Sequence, residues 1–316
     1  MTSLAVSTAE YRAITEACGM LDRSDRGKLA LTGAEAKTFL QGQVSNDVET
    51  LEPGTGCYAA FLTPKGKMLG DIRILDAGDE LLLDTERVAL QDLFTMIRRF
   101  SIGYDAQLHK RTLETGLVSL LGPEADAVAE VEGLGAAEDA HRQAAIDGMS
   151  VRAVRTALGI DLLCNAGDIG AVQDALQARG AEPVSESAAE CVRIERGRPR
   201  YGVDLDDSVI PQEAGLNPRA VSFTKGCYVG QETVARLYYR GKPNRQLRGL
   251  RLSLPPSTAD EIMLGDRVVG RLGSVAESPS LGPIALALVR REAPPGSDVR
   301  VGADEINAIV TELPFA

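Results

Sequence analysis

Tryptophan is absent from this chain, aromatic residues make up 4% of it, and histidine occurs twice. His109 and His141 stand alone, outside any H-E-x-x-H or Cys/His cluster. A self-contained zinc site or a histidine-based triad therefore has little to be built from, and two surface histidines are the expectation. The five cysteines (Cys18, Cys57, Cys164, Cys191 and Cys227) are odd in number, widely spread and never spaced C-x-x-C. That pattern excludes a disulfide framework. With no basic-then-apolar leader in residues 1–30, it points to a reducing cytosol. No apolar run approaches the roughly 20 residues of a spanning helix, so no membrane is expected. Basic residues are also outnumbered: 34 Lys and Arg against 45 Asp and Glu give -11. A protein that coats nucleic acid is excluded, and any such contact must be a local patch.

What remains is a soluble, folded chain. Its 316 residues are 44% hydrophobic and 25% charged, too long for one ordinary core and right for two or three. Ser7-Thr8-Ala9-Glu10 reads as a capping box opening a helix to about Cys18, and Thr32-Gly33-Ala34-Glu35 as a second one ahead of Phe39 and Leu40. Strands are expected at Leu29–Leu31, Gly56–Leu62, Lys67–Leu75 and Glu80–Asp84. Turn chemistry at Thr63-Pro64-Lys65-Gly66 and Ala77-Gly78-Asp79 makes the last three an antiparallel meander. In Arg87–Phe100, Leu90, Leu93, Phe94 and Ile97 share one helical face. The polar stretch Gly122–Ala145 suggests a variable helix. Strands follow at Met149–Arg155 and Gly159–Cys164, then a helix between Asp168 and Gly180, and another capped by Ser187. A long polar loop spans Tyr201–Thr224. From Asn244 onward, short strands punctuated by Gly and Pro predict a small β-barrel or sandwich.

Three features carry chemistry. Cys227 lies between Gly226 and Gly230, two residues after Lys225 and just ahead of a helix expected from Gln231. A helix N-terminus and an ammonium both favour thiolate, lowering a pKa from about 8.5; equally, a small thiol can simply pack under a turn. The other four cysteines fit core positions. Second, Arg193, Arg196, Arg198 and Arg200 crowd one helix end, and Arg236, Arg240, Lys242, Arg245, Arg248 and Arg251 form a strip with no acid between. Guanidinium forks suit carboxylates and phosphates, so an anionic ligand tail or a limited RNA contact fits there, as do dipole and salt-bridge roles. Third, Glu195 among arginines and Asp71 among apolar residues could each accept hydrogen bonds from a heterocycle, or serve in ordinary ion pairs.

Lys225-Gly226-Cys227-Tyr228-Val229-Gly230-Gln231-Glu232, together with Ile210–Leu216 and Arg193–Asp204, closely resembles the YgfZ-type folate-binding proteins, relatives of the glycine-cleavage T-protein. Phe39–Gln43, Ser45–Val48, the Thr63–Lys67 turn and Arg267–Ser274 extend the likeness over nearly the whole chain. The resemblance implies an α+β protein of three domains in a trefoil around a central channel: two mixed α/β domains with antiparallel sheets and a C-terminal small β-barrel. Their expected extents are 1–48 with 140–240, which carries the Lys-Gly-Cys-Tyr motif and the folate site, then 49–139, then 241–316. It further implies a bound tetrahydrofolate or one-carbon derivative. Glu195 would hold the pterin, helped by Arg193, Tyr228 and Gln231, and Arg236 and Arg240 would meet the glutamate tail. Cys227 would be the working thiol, with Lys225 beside it. The implied role is assembly or repair of iron–sulphur enzymes, including radical enzymes that modify tRNA, by a cytoplasmic monomer partnered with iron–sulphur enzymes or assembly proteins.

The alternative is a folate-dependent aminomethyltransferase of the glycine-cleavage type. The T-protein carries an Asp pair around Gly66–Leu75; here the first position is Gly70 and only Asp71 remains. Asp71 is then the candidate catalytic carboxylate. Direct RNA contact through the Arg236–Arg251 strip ranks last, against the acidic total.

Overall fold

A computed structural model describes residues 6–256 and 260–315. Alternation decides the architecture. In the five-stranded sheet, ordered Gly56–Leu62, Met68–Asp76, Leu81–Thr85, Gly27–Thr32, Gln107–Lys110 and antiparallel throughout, one face carries Leu29, Leu31, Ala59, Phe61, Ile72, Ile74, Leu81 and Leu83. These pack against Phe39 and Leu40 of the Ala36–Gln41 helix and Leu93 and Ile97 of the Leu90–Phe100 helix. The opposite face, one residue out of step, carries Lys28, Tyr58, Asp71, Arg73 and Asp84.

The second sheet has six strands, ordered Glu182–Pro183, Gly19–Asp22, Thr115–Leu121, Gly159–Asn165, Met149–Arg155, His141–Ile146. Only the short Glu182–Pro183 strand pairs in parallel. Its outer face (Val118, Leu120, Val151, Ala153, Ile160, Leu162) is covered by the Ala125–Ala129 and Ile169–Ala178 helices. Its inner face meets the first sheet, where Leu75, Leu117, Val154 and Leu163 form a small apolar seam. The order is helices, sheet, sheet, helices, with charge between the sheets. The C-terminal part is a closed six-stranded barrel of Arg245–Leu252, Gly282–Arg290, Arg267–Ser278, Glu261–Leu264, Asp298–Val301 and Ile306–Thr311. Leu250, Ile262, Val289, Val301 and Val310 fill it. The α+β class with a C-terminal barrel is the one the chain adopts.

Several local expectations are corrected. Sheet membership crosses the boundaries expected at 48 and 139: Gly27–Thr32 joins the strands of 56–110, whereas Thr115–Leu121 lies at the heart of the other sheet. The Lys-Gly-Cys-Tyr segment also packs with the five-stranded sheet, since Tyr228 and Val234 share a core with Ala60, Leu62 and Met68. Alternation cannot say which sheet a strand joins. The second capping box does not form: Thr32 Oγ1 bonds His109 Nε2 at 2.9 Å and Glu35 takes the Asp105 amide. Ser185, not Ser187, caps the Glu186–Glu195 helix. The 122–145 stretch holds only the Ala125–Ala129 helix before a strand begins at His141. His141 itself is buried, with Arg152 Nη1 3.0 Å from its Nδ1, against the expected surface position.

Asp204 fastens the barrel to the rest. Its buried carboxylate accepts from Arg193 Nη1 at 2.9 Å, the Arg200 amide at 2.9 Å, the Ser274 amide at 2.8 Å and Ser274 Oγ at 2.9 Å. One anion thus joins the Glu186–Glu195 helix, the following loop and a barrel strand. Removing it takes one of the two carboxylates from the Arg193 cation, which keeps Glu190, and leaves the Arg200 and Ser274 amides without their acceptor, a loss of roughly 1–3 kcal/mol. Asp204→Ala is expected to lower the urea-unfolding free energy by about that amount; a loss below about 1 kcal/mol would contradict this role.

Candidate active site

Between the two sheets lies a cavity of about 500 Å³, within the roughly 300–1,000 Å³ range of small-molecule sites. Tyr58, Asp71, Arg73 and Asp84 line it from the five-stranded sheet, Asp161 from the six-stranded sheet, and Glu138, Asp139, Arg198, Arg200 and Arg219 from loops and a short helix.

Asp71 is presented by a bulge. Directly after the Thr63–Lys67 turn, Leu62 pairs Met68, but the register then slips so that Phe61 pairs Gly70 and Ala60 pairs Asp71. That single extra residue puts Asp71 on the inner face. Tyr58, diagonal to it on the neighbouring strand, donates its hydroxyl to Asp71 Oδ2 at 2.6 Å. Asn46 fixes the Tyr58 backbone, its amide donating to the Tyr58 carbonyl at 2.8 Å and the Arg219 carbonyl at 2.9 Å, while the Arg219 guanidinium lies 4.8 Å from the Tyr58 ring centroid. Burial pushes the Asp71 carboxyl up to about 6, with the Tyr58 hydrogen bond working against the rise. An acid so poised exchanges protons near neutrality.

Around it the charges are paired. Arg73 reaches Asp84 at 2.7 Å and, across the gap between sheets, Asp161 at 2.7 Å. Arg26 bonds Asp84 at 2.8 Å and also Glu86. Burial alone would raise Asp84, but Arg26 and Arg73 hold it below the ordinary value. Two groups are left over. Arg73 Nε is buried without a hydrogen-bond partner, and no described residue donates to the Asp139 carboxylate, which burial pushes up to about 6 despite Arg73.

The residues singled out in the sequence divide. Asp71 and Arg193 line the cavity, and so do Arg198 and Arg200; Glu195, Lys225, Cys227, Tyr228, Gln231, Arg236 and Arg240 do not. Arg193 is committed internally: Nε and Nη2 fork onto Glu190 at 2.8 Å, Nη1 serves Asp204 and the Arg198 carbonyl, and Nη2 also meets Ser274. Glu195 turns toward the barrel, taking Ser278 Oγ at 2.5 Å and the Tyr11 hydroxyl at 3.1 Å. Lys225 does not attend the thiol. Its buried ammonium donates to the carbonyls of Gln41 at 2.6 Å, Val44 at 2.8 Å and Asn46 at 2.7 Å, tying down the end of the Ala36–Gln41 helix. Burial lowers its pKa to about 8.

Cys227 is exposed, three residues before the Gly230 cap of the Gln231–Arg240 helix; Cys18, Cys164 and Cys191 are buried and Cys57 half-buried. Tyr228 is packed in a core, and Arg236 and Arg240 are exposed on the helix that follows. Arg245 and Arg248 are paired with Glu213 and Glu312. Sequence reasoning missed Tyr58, Arg73, Asp139 and Arg219. The alternation of Asp71 with Arg73 was the available signal; Asp139 sits in a stretch with no pattern to find it by.

Comparison with known proteins places these residues in context. Residues 2–225 match the model of the GCVT N-terminal domain, and residues 245–316 that of the glycine cleavage T-protein C-terminal barrel domain. A putative chloroplastic transferase of Arabidopsis thaliana is 29% identical over 94% of this chain and 71% of its own length. An aminomethyltransferase of a Synechococcus species is 30% identical over 97% and 89%. The crystal structure of the glycine cleavage system aminomethyltransferase T from Bartonella henselae superposes with a TM-score of 0.87 at 23% identity, covering 98% of this chain and 89% of that one, a likeness of fold.

Because Asp71 carries a folded-state pKa near 6 against 3.8 as its reference value, the folded state binds more protons between those values. Its protonation therefore stabilises the fold at low pH, and that contribution is lost as pH rises from about 4 to about 6. Asp71→Asn is expected to gain on wild type by an amount of the order of 3 kcal/mol between pH 4 and pH 7. Urea titrations at both pH values check this; a difference independent of pH would contradict it.

Proposed function

The chain belongs to the glycine-cleavage T-protein family, and from that premise we propose that its inter-sheet cavity binds tetrahydrofolate and carries out one-carbon transfer of the aminomethyltransferase type. The observation that carries the proposal is Asp71: a buried carboxyl, oriented by Tyr58, raised toward neutrality and lining a cavity of suitable size. The fit of the group rests on the incomplete polar wall. A buried Arg73 Nε without a hydrogen-bond partner and the Asp139 carboxylate on the cavity wall suit a heterocycle that offers both acceptors and N–H donors. Arg198 and Arg200 are half-buried at the cavity margin and paired there with Glu138 and with Glu186 and Glu190; an anionic tail would exchange with those acids, in place of the expected Arg236 and Arg240.

When bound, tetrahydrofolate supplies a nucleophilic ring amine that accepts a one-carbon unit. The protein residues do the rest. Asp71 holds or releases a proton at Oδ1 or Oδ2, and Tyr58 fixes its orientation. Overall, an aminomethylated dithiol carrier and tetrahydrofolate would yield methylenetetrahydrofolate, ammonia and the reduced carrier. Asp71→Asn is expected to cut this turnover by about a hundredfold or more while leaving folate affinity within a few-fold. Absence of turnover in a wild-type protein that binds folate would refute the transferase reading.

A second reading keeps folate and assigns the chain to support of iron–sulphur enzymes. It is favoured by one feature, the exposure of Cys227 when the other described cysteines are buried or half-buried. On this reading Cys227→Ser, correctly folded, fails to restore iron–sulphur enzyme activity in a strain lacking the protein. Full restoration would remove the thiol from the mechanism.

A further inference from the structure

We propose that a second cavity between the two sheets, lined by Lys28 and Arg152, binds a small organic carboxylate and is separate from the site of the transfer reaction.

This cavity measures about 250 Å³, and of the residues that line the larger one it shares only Asp84. Alternation builds its walls. On the five-stranded sheet, Lys28 stands opposite Asp84, and Leu75 opposite Leu82. On the six-stranded sheet, Arg152 stands opposite Leu163. All of these line the space, so two cations from opposite sheets share it with three leucines. Such a mixture of hydrocarbon and a few charged groups is the usual make-up of a small-molecule site.

An inward cation away from water is costly unless an anion meets it. Elsewhere in the gap that demand is met: Arg73 takes Asp84 and Asp161, and Arg26 takes Asp84 and Glu86. Lys28 and Arg152 differ, since no described carboxylate lies at ion-pair distance from either. Lys28 is 3% exposed, and its ammonium donates to the carbonyls of Ser24 at 2.8 Å and Arg26 at 3.1 Å, which leaves one N–H over. Arg152 is half-buried, with Nη1 3.0 Å from His141 Nδ1 and the rest of its fork without a described partner. Asp79 and Glu80 attract it only from farther away. Burial lowers the pKa of both cations, the direction expected where nearby acids do not offset desolvation. The two acids on the wall are engaged with other cations, Asp84 with Arg26 and Arg73, and Glu80 with Arg111 at 3.5 Å.

The ligand chemistry follows from these groups. A guanidinium fork takes both oxygens of a carboxylate side by side, and an ammonium adds a compact positive charge. Leu75, Leu82 and Leu163 suit a short hydrocarbon, which inorganic phosphate lacks.

Calorimetric titration of the full chain with succinate, with its neutral counterpart succinamide and with inorganic phosphate tests the assignment. Succinate is expected to bind saturably at one site with a Kd of about 1 mM or tighter, and the other two at least about tenfold more weakly. Arg152→Gln is expected to weaken succinate binding at least about tenfold, and Lys28→Met, on the opposite wall, by a similar factor. Arg99→Gln, which removes an exposed guanidinium outside the cavity, should bind as wild type. Saturating tetrahydrofolate should not displace succinate. A wild type without saturable succinate binding, folded Lys28 and Arg152 variants with unchanged affinity, or competition with tetrahydrofolate would overturn the second site. Succinamide or phosphate bound as tightly as succinate would overturn the carboxylate class. A chain that binds succinate but no folate would leave this site standing and refute the reading of the larger cavity.

Discussion

Charged side chains that face inward between two sheets have no water to fall back on, and the structure is arranged around that constraint. Arg73 is the centre of it. Projecting from one sheet, it reaches Asp84 on its own side and Asp161 on the other, so the attraction that satisfies it also sets the separation of the sheets. Attraction of this kind repays desolvation only when the geometry is good and the remaining donors are used. The apolar seam of Leu75, Leu117, Val154 and Leu163 fills part of the gap, and beside it a cavity lined by these charges remains. Asp204 repeats the device at the barrel, with one carboxylate taking four donors from three parts of the chain.

The same accounting separates residues that hold the fold from residues free to act. Arg193 and Lys225 look functional by type and by neighbourhood, but every favourable contact open to them is spent within the protein. Asp71 and Asp139 are the reverse. Each is buried, each is pushed toward neutrality by that burial, and each faces the cavity with less compensation than a structural carboxylate such as Asp84 receives. Stability lost at such positions is a common accompaniment of binding and catalysis. Cys227 belongs to neither group. It stands exposed at the head of its own helix, away from the cavity, which separates thiol chemistry from the inter-sheet site in space.

Much of this was legible in the sequence. Runs bounded by turn residues located the strands of the meander and the two hairpin strands near Met149 and Gly159 within a residue or two, the apolar face of Leu90–Phe100 identified the covering helix, and Gly and Pro spacing announced the barrel, because each of these is a local relation along the chain, whereas Gly19–Asp22 and Thr115–Leu121 were not placed. The Lys-Gly-Cys-Tyr segment and its companions carried the resemblance, of which the T-protein family is the part that the family models show. Asp71 was found for the same reason: a carboxylate inside an apolar strand is anomalous whatever surrounds it.

What only the tertiary structure decided is partnership. A strand's own pattern does not say which sheet it joins, so Gly27–Thr32 and Thr115–Leu121 exchanged places relative to a division by sequence order. The bulge beyond Leu62 chose the face Asp71 occupies, a shift of one residue that composition does not record. Whether an arginine is a ligand anchor or a brace depends on which carboxylates fold up beside it. The sequence by itself settled the chemical types and the local elements; long-range packing settled which charges would meet a partner and which would wait for one, because charge satisfaction is a property of distance in space and not of order along the chain.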